Sequence, residues 1–314
     1  MTLGKAQRVV FGETLAELGA LDPRIVVLDG DLGNSTRADI FEKAFPDRFF
    51  QMGIAEQNML GVAAGMATIG YVPFISTFAA FATARALDPI RVLIAQPGLN
   101  VKIAGAYSGL LAGKTGKTHI SFDDLAVMRA LGNMTVVAPV DETETRMAIR
   151  AIVEYEGPVY LRLTRQPTPL VFDEAYRFEL GRAVIVREGS DVTLISTGVQ
   201  TSRTLEAAAR LADEGIGAHV LHVPTLKPLD TDAIVEAASR TGLVATVEEH
   251  TIIGGLGGAV AETLIENHPV PMKRIGLPDT FAESGPDDAL LDKYGISSER
   301  VTQAVRDFVT MAGN

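Results

Sequence analysis

The sequence predicts an α/β fold made of two consecutive domains with mainly parallel sheets. Three observations lead there. Short apolar runs bounded by Gly or Pro recur along the chain and read as strands buried on both faces. Helix-like segments separate them, which is the alternation expected of α/β units. A length of 314 residues suits two domains of ~100–200 residues each. The Pro-containing polar stretch 167–189 reads as a linker between domains at 1–166 and 190–314.

Composition narrows the function classes. Hydrophobic residues make up 47% of the chain, enough for substantial cores, and the formal net charge is −11. That acidity argues against nucleic acid and anionic membranes as partners, though not against a small anion held by local Arg or Lys. With no Cys, disulfides, thiolate nucleophiles and Cys-ligated metals are excluded. The first 18 residues, MTLGKAQRVVFGETLAEL, read as an amphipathic helix without the apolar core of a signal peptide, so a cytoplasmic protein is expected.

The elements follow in order. Arg24 to Asp29 is a buried strand, and Asp29 and Asp31 lie at its C-terminal end, where open α/β sheets gather ligands. Asp-Gly-Asp is equally ordinary turn chemistry. Gly33, Asn34, Ser35 and Thr36 form a polar loop, and Arg48 to Met52 is a short strand. Gln51 to Arg85 is the stretch that the rest is organised around. Between Glu56 and Arg85 no residue is charged, so Glu56 faces a surface that should be buried.

A buried carboxylate costs several kcal/mol or more unless paired or protonated. Glu56 therefore has a dedicated partner or titrates abnormally, and either marks a site candidate. The simpler reading is a first-turn acid on a helix starting near Ile54, favoured by the helix dipole. Met59, Val62, Ala63 and Met66 give that helix its apolar face, and Gly70 ends it. Val72 to Ser76 is a buried strand, and Phe78 and Phe81 sit one turn apart on the next helix, a spacing that ordinary core also shows. The run is too rich in Gly, Ala, Ser and Thr for a membrane span.

LNVKIAGAYSG reads as a strand opening into a glycine-rich, mobile, basic loop with Lys114, Lys117 and His119. Its two Gly-Lys-Thr tripeptides need a preceding Gly at Leu111 or Ser108 to make a phosphate-binding loop, so nucleotide hydrolysis is rejected. His119 alone could be structural or solvated. Ser121 and Asp124 have capping-box spacing. Thr135 to Ala138 is a strand, Asp141-Glu-Thr-Glu starts a helix, and Val159 to Thr164 is a strand ending at Arg165, a surface charge or a ligand-side cation. In the second unit Val192 to Thr197, Ala218 to Val223 and Leu243 to Glu248 are strands. Gly254-Gly-Leu-Gly-Gly resembles a dinucleotide fingerprint, but Val260 stands where the third Gly belongs, so it reads as a tight turn, with His250 structural.

Together these motifs resemble the C-terminal half of transketolases: GIAEQNM (Gly53 to Met59), TFAAFATAR (Thr77 to Arg85), KTHISFDDLAVMRALGNM (Lys117 to Met134), LTRQ (Leu163 to Gln166) and the distal EEH…IGGLG (Glu248 to Gly257). The resemblance covers nearly the whole chain. It implies a thiamine diphosphate-binding, pyrimidine-type domain followed by a transketolase C-terminal-like domain. It also implies that Glu56 meets N1′ of the cofactor's aminopyrimidine, sharing the proton that activates it. Phe78 and Phe81 then form the aromatic wall, Asp31 lies beside the cofactor, His119 hydrogen-bonds the donor sugar, and Ser35 and Arg165 bind its phosphate.

Departures from the family concern the sugar. The third aromatic of the wall is replaced by Ala84. Tyr107, Ser108 and Thr115 stand where transketolases carry a histidine and two acids, which assigns Tyr107 and Thr115 to an unusual ketose. The family's Gly-Asp-Gly…Asn motif for diphosphate and Mg²⁺ is missing, so no metal ligand is expected here. The expectation is a split enzyme: a second, N-terminal subunit supplies that motif, this chain forms homodimers, and the whole is an α2β2 assembly. The alternatives are a β-subunit of a 2-oxo-acid dehydrogenase, a deoxyxylulose-phosphate synthase type, or a non-catalytic assembly subunit.

Overall fold

The computed structural model describes residues 2–312; Met1 and Asn314, the ends of the expected domains, lie outside them. The strands, in chain order, are β1 (Leu3–Ala6), β2 (Ile25–Asp29), β3 (Phe49–Gln51), β4 (Val72–Phe78), β5 (Lys102–Ala106), β6 (Thr135–Val137) and β7 (Val159–Arg162). Then come β8 (Pro167–Pro169), β9 (Val184–Arg187), β10 (Val192–Ser196), β11 (Ala218–His222), β12 (Thr225–Lys227), β13 (Val244–Thr251) and β14 (Met272–Leu277). A seven-stranded sheet runs β12-β6-β7-β5-β4-β2-β3 and a five-stranded sheet β14-β13-β10-β11-β9. Within each sheet all neighbours are parallel except the pairs made by β12 and β9. The expected α/β class with mainly parallel sheets is what forms.

Its physical basis is burial. Every residue of β2, β4, β5 and β10 is buried, as apolar strands covered on both faces require. One apolar cluster runs from Leu28, Met59 and Ile75 through Val136 to Ile195, Leu221 and Leu256, so the two sheets share a continuous core. β12 crosses over from the second half to pair with β6 of the first. That continuity lets the second half act on loops of the first.

Several local expectations change. The N-terminus is not one helix: Leu3–Ala6 pairs antiparallel with Pro167–Pro169, and the helix is Gln7–Gly19. Pro suits such an edge pair because it has no ladder N–H to contribute. Residues 33–36 form a short helix rather than a loop. The next long helix starts at Glu56 itself, leaving Ile54 exposed. β4 extends through Phe78, so Phe78 ends a strand while Phe81 lies in helix Ala79–Arg85. The capping box does not form either. Helix Asp124–Ala130 has no side-chain cap, and buried Asp124 binds Arg162 Nε at 2.8 Å and the Tyr160 hydroxyl at 2.9 Å. A buried guanidinium needs a charge partner more than an exposed helix end needs a cap.

Candidate active site

The end of β4, the loop after β5 and helix Ala79–Arg85 gather a set of rings that Arg85 joins to Glu56. Its side chain is only 4% exposed, and Oε1 accepts a hydrogen bond from Arg85 Nη1 at 2.8 Å. Arg85 ends the helix that carries Phe81, and its Cζ lies 3.9 Å from the Phe81 ring centroid. The carboxylate thus has a dedicated partner, one of the two outcomes expected from burial. Phe78 and Phe81 stack at 5.5 Å, and Tyr107 stacks on Phe78 at 4.0 Å. His119 meets both Phe rings edge-on, at 6.1 and 5.4 Å. Its Nδ1 lies 2.8 Å from Thr118 Oγ1.

Beyond Tyr107 lies a cationic corner. The Tyr107 phenol oxygen accepts from Arg165 Nε at 3.2 Å, and the guanidinium carbons of Arg165 and Arg8 sit 5.6 and 5.9 Å from its ring centroid. Arg8 donates to the carbonyls of Arg165 (3.1 Å) and Ser35 (2.8 Å). Burial pushes the Arg8 guanidinium below its ordinary range; Tyr107 opposes this, while the charges of Arg165 and Arg37 add to it. Like charges held this close favour an anion between them. Ser35 presents its carbonyl to Arg8, while its hydroxyl donates to Asn34. Tyr107 has φ +60°, uncommon for a bulky residue and sustained by its stacking and hydrogen bond.

Asp31 is exposed, with its own N–H donated to Gln51 Oε1 at 3.0 Å. The buried acid of this strand end is Asp29, which accepts from the N–H groups of Leu32 and Gly33 and from Gln51 Nε2. Burial pushes its carboxyl up. Thr115 Oγ1 donates to Ala112 O at 2.6 Å and closes its own 3-10 turn.

The glycine-rich loop is anchored at its start. Leu111 N–H donates to Glu249 Oε1 at 3.1 Å and Gly113 N–H to Asp287 Oδ1 at 3.0 Å, both in the second half of the chain. Glu249 is held in turn by Arg203 at 2.8 Å. A Cβ on Gly109 would lie 2.2 Å from Glu249 Oε1, and its φ is +74°. Only Gly serves there.

Sequence reasoning missed Arg85, Arg8 and Arg37. Arg85 carried a signal, since an uncharged run bounded by one acid and one base invites their pairing. Nothing local distinguished Arg8 or Arg37. Among the described residues no His/Cys/Asp/Glu cluster could hold a metal ion, and no helix is long and apolar enough to cross a membrane.

A buried acid, an aromatic wall and a cationic corner lie at the strand ends of a parallel α/β sheet, the end where ligands of such sheets collect. The chain belongs to the transketolase family: residues 4–170 match the transketolase pyrimidine binding domain and 181–301 the transketolase C-terminal domain. That family depends on thiamine diphosphate. The chain is 43% identical over 300 residues to the 6-deoxy-6-sulfo-D-fructose transketolase subunit SqwH of Clostridium sp. (strain MSTE9), covering 96% of this chain and 93% of that one. It is 38% identical to an apulose-4-phosphate transketolase subunit of Phocaeicola vulgatus, covering 97% of each. A solved structure described as a split gene transketolase, inactive beta4 tetramer, superposes with a TM-score of 0.91 at 50% identity, covering 98% of this chain and 99% of that one.

Proposed function

We propose that this chain is the C-terminal subunit of a split, thiamine diphosphate-dependent transketolase, moving a two-carbon ketol unit from a ketose to an aldose acceptor. The observation that carries the reading is the Glu56 pocket. A buried carboxylate already accepts an N–H from a flat, delocalised group lying on Phe81, and an aminopyrimidine edge has the same shape and the same demand for a carboxylate. The pocket's residues therefore fit the pyrimidine half of the cofactor.

When bound, thiamine diphosphate supplies the carbon nucleophile for ketol transfer. In this chain Glu56 would share a proton with N1′, Phe78 and Phe81 would hold the ring, and Asp31 would border it. His119 donates a hydrogen bond to the donor sugar's oxygen. Arg165 and Arg8, with Ser35 beside them, take an anionic end, and Tyr107 fixes Arg165. The diphosphate and Mg²⁺ fall to an N-terminal subunit, as the resemblance to subunits of split enzymes suggests, with active sites between chains in an α2β2 assembly. Reconstitution with that subunit tests the reading. Glu56→Gln should lower turnover by at least ~10²-fold, and near-normal turnover would overturn it.

A further inference from the structure

Arg85 makes, at once, both contacts that the aminopyrimidine would make: a hydrogen bond to Glu56 at 2.8 Å and a face-on contact with Phe81 at 3.9 Å. We infer that Arg85 is a stand-in for the cofactor's ring, holding Glu56 until the cofactor displaces it, and that it thereby sets cofactor affinity. This rests on the thiamine diphosphate reading above.

Arg stays protonated throughout the physiological range, and a guanidinium against a carboxylate favours the ionised acid. Sharing a proton with N1′ needs a carboxyl whose proton affinity has not been lowered by that charge. A pyrimidine that takes the Glu56 oxygen held by Arg85, or the face of Phe81 that Arg85 covers, has to displace Arg85.

Arg85 also has somewhere to go. Its side chain is 49% exposed, against 4% for Glu56. It borders an open cavity of about 1050 Å³ whose walls include Asp88, an alternative partner, and Arg91. Helix Ala79–Arg85 stops there: Ala86 leaves helical geometry at φ −110°, ψ 15°, and Ile90–Ala95 is π-helical. Such irregular winding is frequent at functional sites. Buried Arg162, by contrast, is 6% exposed and grips both oxygens of Asp124. It has no such exit.

The test measures thiamine diphosphate dissociation constants, by calorimetry, for complexes reconstituted with the N-terminal subunit. If the paired state dominates the empty pocket, Arg85→Met removes a competitor and should tighten binding about five- to tenfold, by the rule that apparent affinity scales with the competent fraction. Arg85→Lys should fall between Met and wild type. Guanidinium ion added to Arg85→Ala should weaken binding again, while leaving wild type unchanged. In the Glu56→Gln background Arg85→Met should give no gain. An Arg85→Met complex that binds the cofactor equally or more weakly than wild type overturns the inference and leaves the functional reading standing. A wild-type complex that binds none overturns both.

Discussion

Glu56 and Glu248 are both buried carboxylates beside the start of a helix, one in each half of the chain, and they differ in what holds them. Glu56 opens helix Glu56–Thr68 and is held by one half-exposed side chain. Glu248, on β13, accepts the N–H groups of Leu256 and Gly257 at 2.7 and 2.8 Å, at the start of helix Leu256–Asn267. Burial pushes the Glu248 carboxyl up, against the opposing pull of those two N–H groups. A Cβ on Gly255 would lie 2.1 Å from Glu248 Oε2, so the glycine-rich turn exists to let this carboxylate approach the backbone. His250 is equally committed: Nδ1 donates to Thr251 O and Nε2 accepts from Ala126 N–H. Burial marks where an unpaired charge would be costly. Whether the partner is fixed backbone or a movable side chain separates a structural acid from one available to chemistry.

Breaking a fixed pair should have the largest effect on stability. Arg162→Met leaves Asp124 buried without its cation, at an expected ~3–5 kcal/mol, read as a fall in the urea midpoint. Arg85→Met, at a half-exposed pair, should cost at most ~1 kcal/mol. Equal losses would erase the distinction between the fixed pair and the movable one. Next in size is Glu248→Gln, which turns an amide toward one of two buried N–H groups. It should destabilise by ~1–3 kcal/mol and leave cofactor affinity unchanged. If Glu248→Gln instead altered cofactor binding at full stability, the second carboxylate would belong to a site as well.

What was legible in the sequence follows the same division between local and distant causes. β2, β4, β10 and β13 were readable because an apolar run between Gly or Pro carries its own signal. Strands β1, β8, β9 and β12 were not, since each is three or four residues long and exists only by pairing with a segment remote in the chain. Ser121 and Asp124 had the spacing of a cap, and a tertiary demand, neutralising Arg162, took Asp124 away. At the site, Glu56, Phe78, Phe81, Tyr107, His119 and Arg165 are joined into a connected set of contacts by way of Arg85. Thr115 was placed there by position in a motif, and its hydroxyl is taken by its own turn. Arg8 was invisible because nothing near it in sequence hints that the helix after β1 passes over Tyr107.

A buried cation sharpens the comparison from the other side. Lys102 begins β5, the strand whose other end leads into Tyr107, and it is 1% exposed. Its Nζ donates to the carbonyls of Tyr155 and Gly157 at 2.6 and 2.8 Å. Burial lowers its pKa from 10.5 to about 7, with the charge of Glu156 opposing. A neutral amine keeps two N–H donors, enough for both carbonyls, so deprotonation leaves the contacts intact. The sign follows from proton counts. Between about 7 and 10.5 the unfolded chain holds the proton and the folded one does not, so stability rises with pH there. It falls as pH drops toward 7 and is flat below. From pH 7 to 9, wild type should gain roughly 2 kcal/mol more than Lys102→Met, at 1.36 kcal/mol per pH unit; taking the difference cancels the other titrating groups. Parallel stability curves would show that Lys102 stays charged when folded. Thiamine diphosphate affinity should be the same in both proteins, because this cation, like Glu248, is held by backbone that cannot move aside.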